Sequence, residues 1–82
     1  DLAGAVVEFG LSAGERDALA AATAVAAGRP VDADLLHFME SCYAAFQLGY
    51  YVLAEHAASG FEQSRLRERA RLYRDKLAVS AL

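Results

Sequence analysis

The order of apolar and polar positions along this chain is helical almost throughout. Leu35, Met39, Cys42, Phe46, Gly49, Leu53 and His56 follow one another at alternating steps of four and three, the spacing that keeps side chains in one line along a helix. A second line, Leu36, Tyr43, Tyr50 and Ala57, runs beside it. The middle of this segment is therefore apolar over more than half its circumference, which predicts a core helix with the first line as its seam.

Punctuation sets the other elements. An apolar stretch, Leu2 to Phe9, precedes Ser12-Ala13-Gly14-Glu15, which has the SxxE form of a capping box: a hydroxyl on a free amide, a carboxylate reaching back. That predicts a helix from Ala13 to Ala27, ended at Gly28, with Pro30 preventing its continuation. Its expected inner stripe is Ala18, Ala22 and Val25 beside Leu19 and Ala26. Asp32 or Asp34 caps the next helix, and Ser59-Gly60-Phe61-Glu62 repeats the SxxE signature before a last helix with the seam Leu66, Ala70, Tyr73 and Leu77. The predicted helices span about 2–9, 13–27, 33–58 and 60–80. Because glycine costs about 1 kcal/mol against alanine inside a helix, the third is either one long helix or two that meet at Gly49. The expected fold class is all-α, a three- or four-helix bundle forming a single domain over residues 1–82.

Composition changes the picture in one respect. At 82 residues a chain buries only about 60% of the surface its unfolded form exposes, yet 56% of these residues are hydrophobic and 23% charged. Apolar surface should be left over for a partner. The chain opens at Asp1 without an initiator methionine or a signal-peptide pattern and reads as a piece of a longer protein. Its longest uncharged run, Ser41 to Ala54, is shorter than the roughly 20 residues that span a bilayer, so no membrane span is expected. The lone Cys42 has no internal partner for a disulfide, which fits a cytoplasmic location.

Candidate chemistry is sparse. His37, Met39, Glu40, Cys42, Glu55 and His56 are the possible metal ligands, but no HxxxH or CxxC pair occurs, and His56 lies several turns from His37 unless the helix folds back at Gly49. Cys42 falls in the seam and is expected in the core, not as an activated thiolate. Ser12 and Ser59 read as caps. With no nucleophile elbow and no phosphate loop, the expectation is a non-enzyme without cofactor or metal.

Charge is divided unevenly. Residues 61–82 carry six basic side chains, Arg65, Arg67, Arg69, Arg71, Arg74 and Lys76, against Glu62, Glu68 and Asp75, whereas Arg16 and Arg29 face eight acids in the rest of the chain. Beside the last seam the flanking places are Arg67, Arg69, Arg74 and Lys76, all basic, so this helix should not pair with itself and should meet an acidic flank. That flank is either internal, from Glu8, Glu15, Asp17 or Glu40, or belongs to another protein. Phosphate tracking by these arginines is the competing use. Interspersed acids at helical spacing and a pI of about 5.2 disfavour nucleic acid.

Leu11 to Leu19 resembles the opening of the helix-turn-helix of LuxR-type regulators, but no compact recognition helix follows. Residues 38–61 resemble a tetratricopeptide repeat: Phe38, Cys42, Gly49, Tyr51 and Ala54 stand where that family has its aromatic, small, glycine, aromatic and alanine positions, while Ala45, Ala58 and Phe61 depart from it. The resemblance implies tetratricopeptide-like helical hairpins that cradle a peptide or helix, as small cytoplasmic chaperones of type III secretion do. The functional expectation is a protein–protein interaction module, either such a chaperone or adaptor or a homo-oligomeric bundle joined through residues 35–57. The expected partner-binding residues are Phe46, Tyr50, Tyr51, Leu66, Arg67, Arg69, Tyr73, Arg74, Lys76 and Leu77.

Overall fold

The helix ends follow from the residues that cap them. The computed structural model describes residues 1–80 and is all-α, with no strand among the described residues. Its helices are α1 (Leu2–Glu8), α2 (Ala13–Ala27), α3 (Ala33–Ala57) and α4 (Gly60–Ser80). Ser12 and Glu15 form the reciprocal box: the Ser12 amide donates to Glu15 Oε1 at 3.0 Å and the Glu15 amide to Ser12 Oγ at 3.2 Å. Gly28, with φ of 72°, closes α2 in the left-handed conformation that glycine adopts without a steric penalty. There the Arg29 amide reaches back to the Ala24 carbonyl at 3.1 Å. Of the two aspartates, Asp32 is the cap of α3, its Oδ1 accepting from the amides of Asp34 and Leu35 at 2.9 and 3.0 Å.

The chain divides into two compact units, Asp1–Glu40 and Ser41–Leu82, with the division inside α3. In the first, Ala3 and Val6 of α1 and Leu36 and Glu40 of α3 are buried, while α2 buries no residue fully. The expected inner stripe of α2 is corrected: Ala18, Ala22, Val25 and Ala26 face water, and Arg16, Leu19, Ala20, Thr23 and Ala24 turn inward. An alanine-rich helix has almost no contrast between faces, so the Arg16 guanidinium, drawn to Glu40, marks its inner side where apolar spacing cannot.

The second unit is a helical hairpin. α3 runs unbroken through Gly49 to Ala57, Ala58 and Ser59 make the turn, and α4 returns. Ala44 on one helix and Ala70 on the other are each 1% exposed, side chains small enough to let backbones approach closely. Leu66 and Tyr73 complete the buried face of α4, and Gln63 Nε2 donates to the Glu55 carbonyl at 3.4 Å across the turn. The second SxxE segment behaves differently from the first: both Glu62 carboxylate oxygens accept from Arg65, at 2.6 and 3.0 Å.

Candidate functional site

α3 is turned the opposite way from its expected seam. Its inner side is the line Leu36, Glu40 and Ala44, with Tyr43, Gln47, Tyr51, Ala54 and Glu55 half-buried. The positions Leu35, Met39, Cys42, Phe46, Gly49, Leu53 and His56 are all exposed, and Phe38, Ala45 and Tyr50 beside them are exposed too. Cys42, expected in the core, lies on this outer face. Heptad-like spacing favoured the first line as the core, whereas the small Ala44, on neither expected line, is what α3 buries in the hairpin.

Polar groups are drawn inward along with it. Glu40 is buried and its Oε2 stands 3.4 Å from Arg16 Nε, and Glu55 Oε1 accepts from Arg67 Nε at 2.7 Å. Within the hairpin the acid that meets the basic helix is Glu55, a carboxylate that charge balance alone did not suggest. With both glutamates turned away, the exposed residues of α3 between Leu35 and Ala57 include no carboxylate, ammonium or guanidinium. That is the reverse of an ordinary surface helix.

The expected partner-binding residues separate into two groups. Phe46 and Tyr50 stand on the outer face of α3. Tyr51, Arg69 and Tyr73 come together inside the hairpin: the rings of Tyr51 and Tyr73 are stacked with centroids 5.6 Å apart and planes 11° apart. The Arg69 guanidinium lies 5.6 and 5.3 Å from the two centroids and Nη2 donates to the Tyr73 hydroxyl at 3.1 Å. Tyr50 meets Tyr51 edge-on at 5.1 Å, linking the two groups. Leu66 is buried, Leu77 and Lys76 are half-buried, and Arg67 and Arg74 are exposed. Leu35, Met39 and Leu53 belong to the outer face although the sequence offered them only as seam residues, and Phe38 joins them at the flank.

Other arginines of α4 are engaged locally. Arg65 binds Glu62, whose carboxyl is held below its ordinary value by that hydrogen bond, and Arg71 lies 3.7 Å from Glu68. Among the described residues no group of three His, Cys, Asp or Glu is placed to hold a metal ion. A groove of about 510 Å³ in the first unit lies among the start of α1, the end of α2 and the first turns of α3, with Leu35, Leu36 and Met39 in its wall. No helix of the described residues is long and apolar enough to cross a membrane. Compared with protein-family models, curated proteins and solved structures, the chain has no match in any of the three.

Proposed function

We propose that the chain is a protein–protein interaction module, not an enzyme, and that the exposed apolar face of α3 is its binding surface. The observation that carries this reading is the outward orientation of a seam with coiled-coil spacing. Leu35, Phe38, Met39, Phe46, Tyr50 and Leu53 leave between 46% and 73% of their surfaces in water. For large apolar side chains of roughly 150–250 Å² each this amounts to about 700 Å² on one helix. The largest apolar patch of a typical monomer covers roughly 300–600 Å², so the face exceeds what a chain that works alone exposes. A small cytoplasmic chaperone or adaptor that sequesters a partner helix and a self-associating bundle both use such a face. Nucleic acid is disfavoured, because Arg65, Arg67 and Arg71 are already near carboxylates and Arg69 is spread over two tyrosine rings.

The Cys42 thiol tests this directly, since it sits on the face. In an extract of the cells that make the protein, alkylation of Cys42 should run well below its rate in the denatured chain, and Phe46→Glu should restore the rate. Alkylation as fast in the native wild type as in the denatured chain would mean an uncovered face and would remove the proposal.

A further inference from the structure

We infer that the occupant of this face is a second copy of the same chain, its α3 packed antiparallel on the first; the inference rests on reading the face as a binding surface. Three observations select this occupant. The first is area. One partner of a standard interface contributes about 800 Å², and the outer face of α3 presents about 700 Å² of that without any other element.

The second is the alternation of size along the seam. Met39, Phe46 and Leu53 are the large members, and Cys42 and Gly49 the small ones between them. In an antiparallel pair, the register that sets Phe46 against the second copy's Gly49 also sets Leu53 against its Cys42 and Met39 against its His56. The two central layers then each join a large side chain to a small one, as interdigitated packing requires. A parallel pair sets Phe46 against Phe46 and Gly49 against Gly49, crowding one layer and leaving a void in the next. Gly49 bears on the choice in another way. A Cβ built there meets nothing within 4 Å, so the chain's own packing does not call for a residue that weakens the helix it occupies. The notch faces outward, where the second copy's Phe46 fills it.

The third is charge. α4 flanks its seam with Arg67, Arg69, Arg74 and Lys76 and would repel its own copy, whereas the outer face of α3 brings no like charges together. Two-fold symmetry needs a self-complementary patch, and of the two seams only that of α3 is both outward and uncharged.

The experiment is light scattering on the purified chain over a range of concentrations, with oxidative cross-linking of the same samples. A dimer is expected, and Phe46→Glu should dissociate it without loss of helical circular dichroism. Gly49→Leu, a better helix former that fills the notch, should weaken it at least tenfold. Antiparallel packing leaves the two Cys42 residues about 16 Å apart along the helices, so the wild type should not cross-link, while Leu53→Cys should give a dimer joined between positions 42 and 53. Efficient Cys42–Cys42 cross-linking in the wild type would overturn the antiparallel register, and a dimer indifferent to both face variants would overturn the interface. A monomer at every concentration would overturn the second copy. Cys42 protection in the extract then separates the two proposals: if it persists, the face holds a different protein; if it is absent, the binding surface itself is refuted.

Discussion

Arg16 Nε stands 3.4 Å from Glu40 Oε2, an ion pair in which neither atom makes a hydrogen bond. The carboxylate is the buried partner, with 7% of its side chain exposed against 31% for the arginine. Removing one member of a buried pair leaves the other charge without compensation. Arg16→Ala should therefore destabilise the chain by about 2 kcal/mol, the partial exposure of Arg16 reducing the larger cost of a fully buried pair. The double change Arg16→Met with Glu40→Leu should cost less than Arg16→Ala alone. Urea midpoints decide, and an unchanged midpoint for Arg16→Ala would show that the pair contributes nothing.

Tyr73 distinguishes ring packing from the hydroxyl. Its side chain is buried against Tyr51, so Tyr73→Ala should cost about 3–4 kcal/mol, as large aromatic truncations in cores do. Tyr73→Phe keeps the ring and gives up the bond from Arg69, and should cost about 1 kcal/mol. Thermal unfolding measures both.

The capping box gives a pH signature. The Ser12 amide, and after it the Ser12 hydroxyl, hold the Glu15 carboxyl below its ordinary value. A carboxyl lowered in the folded state binds protons less tightly than in the unfolded chain, so its contribution is complete above the ordinary carboxylate value and is lost as pH falls through the lowered one. Ser12→Ala should cost about 1 kcal/mol at neutral pH, and Glu15→Gln, which removes the carboxyl that the Ser12 amide holds down, should flatten the acid limb of a stability–pH curve. A limb as steep as that of the wild type would assign the acid sensitivity to other carboxylates.

Gly49→Ala separates the needs of the helix from those of its outer face. Nothing lies where the new Cβ would stand, and alanine is favoured inside a helix by about 1 kcal/mol. Measured in a Phe46→Glu background, so that association does not enter the balance, the substitution should raise the denaturation midpoint. A lowered midpoint would reveal a close contact at Gly49.

The termini of the helices were legible because each is a local event. Ser12 and Glu15, Asp32 and Gly28 act within a few residues of themselves, and the structure uses them as their chemistry suggests. The rotation of α3 was not legible, because two apolar lines compete and the choice depends on long-range partners: Arg16 for Glu40, Arg67 for Glu55, Tyr73 for Tyr51. In α4 charged flanks leave one apolar line, and Leu66, Ala70 and Tyr73 are buried where the spacing puts them. Of the candidate site, Phe46 and Tyr50 could be named in advance. The remainder of the outer face could not, since the same spacing describes a core seam and an exposed one.

The turning inward of Glu40 and Glu55 also bears on kinetics. An outer face without formal charge attracts no counter-charge from a distance, so a partner finds it by unguided diffusion, at the roughly 10⁵–10⁶ per molar per second of uncharged encounters. Ionic strength should scarcely alter that rate. Occupancy would then be governed by how much partner is present and how long each complex lasts, and tighter binding could come only from slower departure.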